Sequence, residues 1–207
     1  MSETAPADLR PLSGAEFEKI RALAHKEFGL DLRTGKEQLV SARLGKRVRK
    51  LGYRTFRDYL AHVQSDATGA ALMDMIDALT TNFTSFMREP AHFDFLRKNV
   101  LQEFGDQPPV QIWSAACASG EEPYSIALSV LEELSDRALR EVRILATDIS
   151  TKVLETARQG IYTSDRLDGV AHETLRKYFL RGEKRWKGWF RVNPKLREMI
   201  EFRRMNL

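Results

Sequence analysis

The sequence predicts an α/β protein in which a small all-α domain precedes a doubly wound α/β domain. Between residues 13 and 80, apolar residues recur at helical spacing in short segments that end at glycine or turn residues. From residue 110 onward, apolar runs alternate with helical segments, which is typical of parallel strands joined by right-handed crossovers. The expected limits are 1–12 for a flexible tail, 13–80 for the all-α domain, 81–109 for a linker and helix, and 110–207 for the α/β domain.

Four helices are expected in the all-α domain. Ser13 to Glu16 has the pattern of a capping box ahead of a helix that stops at Gly29, and Thr34 to Glu37 has the same pattern ahead of a second helix. A third helix opens at Thr55 and runs to about Gln64, and a fourth covers 70–79. In the second helix, the residues expected to face the core are Val40, Leu44, Val48 and Leu51.

The α/β domain is expected to begin with a helix that has Pro90 at its first position, where the missing N–H costs nothing. The elements predicted after it are strand 110–116, helix 123–134, strand 142–147, helix 151–158, helices near 172–179 and 194–199, and a third strand at 201–205. The strands therefore contribute their carboxyl ends to one edge of a parallel sheet, which is where ligands bind in such folds.

The segment from Ser114 to Ser125, SAACASGEEPYS, predicts a nucleoside-binding turn between a strand and a helix. Asp148, at the end of the next predicted strand, suits the two hydroxyls of a ribose, although an acid there is also a common helix N-cap. A dinucleotide would require three glycines, whereas this turn has only Gly120 and carries Glu121 and Glu122, which would repel a phosphate. The turn therefore favours a cationic ligand such as S-adenosylmethionine, which has a sulfonium, an ammonium and no phosphate.

Two segments of the chain resemble the signature motifs of the chemotaxis-receptor methyltransferases, the CheR family. They are TTNFTSFMRE from Thr80 to Glu89 and the Ser114 to Ser125 turn, and they occur in the expected order. The likeness extends from about Phe17 to the last residue. One departure is Met87, where the family usually has phenylalanine, and methionine fills a similar apolar volume. The resemblance implies S-adenosyl-L-methionine as cofactor and S-adenosyl-L-homocysteine as product.

The resemblance also implies roles for individual residues. Arg88 is expected to bind the carboxylate of the cofactor close to the methyl group that is transferred, and is therefore the candidate catalytic residue. The other residues expected to bind the cofactor are Asn82, Thr84, Glu122, Asp148, Asn206 and Leu207. For Glu122, position at a helix start is an alternative explanation, because a carboxylate there also interacts favourably with the helix dipole.

The family likeness further implies a small antiparallel β-subdomain, at about 180–193, within the methyltransferase domain. In some members this subdomain tethers a receptor C-terminal peptide by strand addition, and the sequence leaves open whether it does so here. A methyltransferase sheet normally has seven strands and only three are predicted, so we expect the C-terminal strands of the sheet, roughly 70 to 80 residues, to be missing from this partial domain.

Composition excludes several classes of protein. No apolar run approaches the length of a membrane span and the N-terminus has no signal-peptide pattern, so we expect a cytoplasmic protein that does not insert into membranes. The single cysteine, Cys117, cannot form an intramolecular disulfide, and four scattered histidines make a metal site unexpected. Cys117 is expected to be a small buried residue of the turn.

Charge is unevenly distributed along the chain. Residues 33–57 contain nine basic residues and one acid, and residues 176–207 contain eleven basic residues and three acids. In the second helix a basic ridge of Arg43, Lys46, Arg47 and Lys50 lies beside the apolar stripe. A solvated helix face would explain this ridge, but it also suits docking on acidic methylation helices of receptors, which is the use that the resemblance implies.

The function expected from the resemblance is transfer of a methyl group to glutamate side chains of chemoreceptor cytoplasmic helices. The receptor carboxylate is ionised near neutral pH, so catalysis would consist mainly of aligning this carboxylate with the methyl carbon and the sulfonium of the cofactor. Two alternatives remain, an RNA methyltransferase and a non-catalytic receptor-binding or regulatory module. The lack of aromatic residues interleaved in the basic ridge argues against an RNA methyltransferase, because RNA-binding proteins generally stack bases on aromatic side chains. We expect no nucleic-acid partner and a monomeric full-length enzyme.

Overall fold

The computed structural model describes residues 9–80, 84–104, 109–135, 139 and 142–207. The chain divides into two compact units, Met1–Thr81 and Asn82–Leu207. Each unit has buried apolar side chains of its own. Helices α1 to α4 belong to the first unit, and a mixed α/β arrangement forms the second.

The described residues of the first unit form four helices, as predicted. They are α1 (Gly14–Phe28), α2 (Glu37–Lys50), α3 (Phe56–Ser65) and α4 (Ala70–Leu79). The capping box at the start of α1 is present, because the Ser13 hydroxyl accepts from the Glu16 N–H and the Glu16 carboxylate accepts from the Ser13 N–H at 2.9 Å. Helix α2 packs on α4, and α1 packs on both α2 and α3. Their core consists mainly of Phe17, Ile20, Leu44, Val48, Phe56, Tyr59, Met75 and Ile76.

Two details predicted for α2 are wrong. The helix begins at Glu37 with Lys36 as N-cap and no side-chain cap, so Thr34 lies too far upstream to cap it. The Glu37 carboxylate instead accepts from the N–H of Gly35 at 3.2 Å. Leu51 was expected in the buried stripe, but α2 ends at Lys50 and Leu51 is 41% exposed. The chain leaves the helix there, and its helical periodicity no longer applies.

The second unit contains a parallel three-stranded sheet. A helical stretch precedes it, with α5 (Pro90–Phe95), a π-helical segment (Leu96–Leu101) and α6 (Gln102–Phe104). The elements that follow are β1 (Val110–Ala115), α7 (Glu121–Glu133), β2 (Val142–Asp148), α8 (Thr151–Gln159), β3 (Ile161–Thr163), α9 (His172–Tyr178), β4 (Phe179–Arg181), β5 (Trp189–Val192), α10 (Pro194–Arg197) and β6 (Ile200–Arg204). The sheet order is β1-β2-β6, all parallel.

One face of this sheet is buried under helices and the other is more open. Val142, Ile144 and Ala146 point to the core, and α7 and α8 both contact β2 and β6. On the opposite face Trp113 of β1 is 55% exposed, although its indole N–H donates to the Thr147 hydroxyl at 3.0 Å. Within the described ranges this parallel sheet has three strands, as the sequence predicts, and β1 is an edge strand that pairs only with β2.

The small antiparallel sheet expected from the family likeness is confirmed, with strand order β3-β5-β4. Its first strand, Ile161–Thr163, lies outside the expected 180–193 segment, and its edge strand β4 follows α9 without a loop. Strands of three residues carry too little alternation for the sequence to reveal them. Trp186 and Trp189 meet edge to face at 6.2 Å between ring centroids and border a groove of about 370 Å³.

Among the helices of the described residues, none is both long enough and apolar enough to cross a membrane.

Candidate functional site

The turn between β1 and α7 is tight and built from small residues. Ala116, Ala118 and Gly120 have positive φ angles of 58°, 46° and 97°. For alanine such angles cost about 1–3 kcal/mol and persist only where surrounding contacts hold them. The Cys117 N–H donates to the Thr147 carbonyl at 2.9 Å, which ties the turn to β2. A Cβ atom at Gly120 would lie 2.8 Å from that of Ala157, so the turn also packs closely on α8.

Asp148 ends β2 and lies against this turn. Asp148 is 7% exposed, and its carboxylate accepts from the Ala118 N–H and the Ser150 N–H, both at 2.9 Å. The alternative that Asp148 caps the next helix is wrong, because Ser150 is the N-cap of α8 and its hydroxyl accepts from the Val153 N–H. An ionised carboxylate has about four acceptor positions, so each oxygen of Asp148 retains capacity for a ligand hydroxyl.

The two glutamates at the start of α7 have different surroundings. Glu121 is fully buried and pairs with the Arg166 guanidinium, while the Ser119 hydroxyl donates to its second oxygen at 2.7 Å. Glu122 is exposed and accepts from the buried Ser114 hydroxyl at 2.7 Å. Since Arg166 compensates the charge of Glu121, Glu122 and Asp148 are the carboxylates of the described turn and strand end that remain to attract a cation.

The linker that follows the first unit lines a cleft of about 510 Å³, within the usual range for small-ligand sites. Thr84 is half-buried, and Arg88 is exposed. The side chains and backbone that form the cleft come from Thr84 to Pro90 and from Asp165, Arg166, Asp168 and Gly169. Arg166 therefore contributes to the cleft and to the buried pair with Glu121.

Helix α7 connects the cleft with the turn. The Met87 N–H donates to the Ser125 hydroxyl oxygen at 2.9 Å, and Ser125 lies one helical turn after Glu121. At the same edge of the sheet, the N–H of Met205 donates to the Asp148 carbonyl at 3.1 Å. Asn206 and Leu207 follow directly and are exposed. Asn82 lies outside the described residues.

The predicted docking residues belong to α2 in the first unit and fall into two groups. Arg43 donates to the Leu79 carbonyl and Arg47 pairs with Asp74, so both side chains connect α2 with α4. Lys46 and Lys50 are exposed. The structure thus separates the basic ridge into an anchored pair and a solvent-facing pair.

Cys117 is buried, as predicted, and burial raises the pKa of its thiol to about 12, with a further contribution from the Asp148 charge. At neutral pH the thiol is therefore protonated and a poor nucleophile. In the part of the chain that the structure describes, no three metal-binding side chains of the His, Cys, Asp or Glu type lie close enough to hold an ion together.

Sequence reasoning did not single out four polar side chains around the turn. They are Ser114, Ser119, Ser125 and Arg166. The serines lie within the turn from Ser114 to Ser125, where their type suggests only small size, and Arg166 lies 45 residues beyond Glu121 along the chain. No local pattern could reveal that pairing.

The residues present fit a nucleoside that carries positive charge. Asp148 can accept from ribose hydroxyls, Glu122 can attract an ammonium, and the turn presents backbone and small side chains with no basic residue of its own. The fold and site define an α/β domain of the nucleoside-cofactor type, with its site at the carboxyl ends of parallel strands.

Comparison with known proteins identifies the family. The chain matches the all-alpha domain of CheR methyltransferases over residues 15–80 and the SAM binding domain of CheR methyltransferases over residues 82–207. It is 38% identical over 192 residues to chemotaxis protein methyltransferase 2 of Pseudomonas aeruginosa, covering 93% of this chain and 68% of the relative. With the chemotaxis protein methyltransferases of Klebsiella aerogenes and Escherichia coli the identities are 39% over 197 and 37% over 196 residues, each covering 95% of this chain and 67% of the relative.

The chain belongs to the CheR methyltransferase family. It is a SAM-dependent methyltransferase of the chemotaxis type, and S-adenosylmethionine is its cofactor.

Proposed function

We propose that this protein methylates glutamate side chains on the cytoplasmic helices of chemoreceptors, for sensory adaptation, and that it works in the cytoplasm as a monomer. The relatives are named chemotaxis protein methyltransferases, and an acidic receptor helix complements the exposed lysines of α2. The observation that carries the proposal is the pair of acids at the carboxyl ends of the parallel strands, Glu122 and Asp148, together with a cleft lined by Arg88 that a hydrogen bond ties to the helix carrying Glu122.

The proposed cofactor contacts divide between the two parts of the site. Asp148 accepts from the ribose hydroxyls, and Glu122 attracts the α-ammonium group. Arg88, with Thr84 and Asn82, holds the carboxylate end, since a guanidinium can form two parallel hydrogen bonds to a carboxylate. Asn206 and Leu207 border the adenine at the carboxyl end of β6.

Catalysis in this proposal depends on alignment. When bound, S-adenosylmethionine supplies a methyl group made electrophilic by the sulfonium. A receptor glutamate has a reference pKa near 4.3 and is ionised at neutral pH, so the enzyme requires no strong base. The task of Arg88 is to hold the methionine arm so that carboxylate, methyl carbon and sulfur lie in line, and an error of about 1 Å can cost on the order of a hundredfold in rate.

The substrate is tested with radiolabelled S-adenosylmethionine, offered with a receptor cytoplasmic fragment and with bulk RNA. We expect base-labile label, as a methyl ester gives, on the receptor fragment and none on RNA. A receptor fragment with its candidate glutamates replaced by alanine is the matched control. Label on RNA would favour an RNA methyltransferase, and cofactor binding without transfer to either would favour a non-catalytic receptor-binding role.

A further inference from the structure

The backbone around Arg88 is held in a conformation that it would not adopt alone. Met87 and Glu89, its two neighbours in sequence, have positive φ angles of 52° and 56°. Non-glycine residues adopt this region at a cost in free energy, and the conformation persists only where nearby contacts hold it. The direction in which Arg88 leaves the chain therefore depends on what holds Met87 and Glu89.

One side chain holds Met87 from across the sequence. The Ser125 hydroxyl oxygen accepts from the Met87 N–H at 2.9 Å, and its own O–H donates to the Glu121 carbonyl at 2.7 Å. Ser125 is fully buried, so no water competes for either bond. Because its proton is committed to Glu121, the hydroxyl presents a lone pair to Met87.

The residue before Met87 is fixed by packing. The ring of Phe86 meets Tyr162 and Phe179 edge to face, at 5.0 and 5.7 Å between centroids. A Cβ atom at Gly169 would lie 2.5 Å from the Phe86 carbonyl oxygen, so the backbone of Gly169 approaches Phe86 closely and a larger residue would not fit there. Packing thus fixes Phe86, and the hydrogen bond from Met87 to Ser125 sets how the chain continues towards Arg88.

We infer that Ser125 is a positioning residue for cofactor recognition: it fixes Met87 and thereby directs Arg88 towards the carboxylate of S-adenosylmethionine. This inference rests on the proposed function of Arg88. Ser125 itself touches neither cofactor nor substrate in this role. Its hydroxyl couples the linker to the helix that carries Glu122, so the residues proposed to bind the carboxylate and the ammonium of the cofactor are both tied to helix α7.

Helix α7 supplies a matched control. Ser129 lies one turn after Ser125, is equally buried, and its hydroxyl donates to the Ser125 carbonyl at 3.0 Å. Both serines therefore donate to a carbonyl four residues earlier on the same helix face. Ser125 in addition accepts a hydrogen bond from the linker, at the Met87 N–H.

The test compares the dissociation constants of S-adenosylmethionine and of decarboxylated S-adenosylmethionine, which keeps the adenosine, sulfonium and ammonium groups. Calorimetry on wild type, Ser125→Ala, Ser129→Ala and Arg88→Lys gives the preference of each protein for the carboxylate. We expect Ser125→Ala and Arg88→Lys each to reduce that preference by about tenfold, since charge-assisted bidentate hydrogen bonds are lost or misaligned. Ser129→Ala should keep the wild-type preference.

The possible results distinguish the role of Ser125 from the proposed role of Arg88. If Arg88→Lys loses the preference while Ser125→Ala keeps it, the positioning role of Ser125 is overturned and the role of Arg88 stands. If Arg88→Lys keeps the preference, the proposed contact of Arg88 is wrong and the inference falls with it. Equal losses in Ser125→Ala and Ser129→Ala would also overturn it, because they would reflect helix packing. If Ser125→Ala does not fold, Ser125→Cys is used instead, because cysteine fills similar space with a weaker acceptor. We expect Ser125→Cys to lose part of the preference for the carboxylate, and an unchanged preference would overturn the positioning role.

Discussion

Adjacent carboxylates can have unrelated tasks, and the start of α7 illustrates this at the scale of single residues. Glu121 is buried against Arg166, whereas Glu122 is exposed and bonded to Ser114. Sequence position does not distinguish them, because both precede Pro123 at a helix start. Their different surroundings predict that one contributes mainly to stability and the other mainly to ligand binding.

Glutamine at each position tests this difference. Glu122→Gln keeps an acceptor for Ser114 but removes the charge, so we expect affinity for S-adenosylmethionine to fall about tenfold with little change in Tm. Glu121→Gln leaves Arg166 without its carboxylate partner, so we expect Tm to fall. Calorimetry and thermal denaturation measure the two effects. Unchanged cofactor affinity in Glu122→Gln would remove that residue from the site.

At the scale of elements, helix α2 has two kinds of basic side chain. Arg43 and Arg47 connect it with α4, through the Leu79 carbonyl and Asp74, and the Arg47 side chain is only 29% exposed. Lys46 and Lys50 face solvent. A ridge that looks uniform in the sequence therefore divides into structural and surface charges.

Charge reversal of each pair should give different defects. Lys46→Glu with Lys50→Glu should slow methylation of a receptor fragment without changing cofactor affinity. The defect should shrink with added salt, because the Debye length falls from about 10 Å at 0.1 M to about 3 Å at 1 M. Arg43→Glu with Arg47→Glu should instead lower Tm. A full methylation rate in the lysine double variant at low salt would argue against docking through α2.

The start of α4 depends on an acid that lies ahead of the helix. Gly69 is the N-cap and has no side chain to cap with, but the Asp66 carboxylate accepts from the Ala71 N–H at 2.7 Å and from the Thr68 N–H and hydroxyl. These bonds lower the pKa of Asp66 from 3.8 to about 2, and the bond from the Ala71 N–H makes the largest contribution.

Stability of the first unit should therefore contain a pH-dependent contribution from Asp66. Because the pKa is lower in the folded than in the unfolded state, the contribution is complete above about pH 4 and is lost as the pH falls through about 2. Asp66→Asn should lower Tm at pH 7 and flatten its decline between pH 4 and pH 2. Thermal melts at these pH values provide the measurement, and an equally steep decline in the variant would assign the acid sensitivity to other groups.

At the scale of the whole molecule, the chain consists of two units with separate cores. The first unit buries large apolar side chains from all four of its described helices, among them Phe17, Leu44, Phe56 and Met75. Such a core, in a unit with short loops and local contacts, is sufficient in other small helical domains for independent folding.

Residues 9–80 expressed alone should therefore be helical and unfold in one cooperative transition. This fragment should not bind S-adenosylmethionine, because the proposed cofactor residues from Thr84 to Asp148 belong to the second unit. Circular dichroism and calorimetry measure both properties. A broad transition without cooperativity would show that the fragment needs the rest of the chain to fold.

The sequence by itself determined the order of the main helices and parallel strands, and it placed Asp148 and the turn at a strand end. These features depend on local periodicity and on turn residues, which act over a few positions. Only the tertiary structure decided that Glu121 pairs with Arg166, that Arg43 and Arg47 bind α4, and that Ser125 holds Met87. The residues in these contacts lie 27 to 45 positions apart in the sequence. Met87 and Ser125, for example, are 38 positions apart, and Glu121 and Arg166 are 45 positions apart. Their formation depends on which helices pack together, and a pattern read along the chain contains no record of that packing.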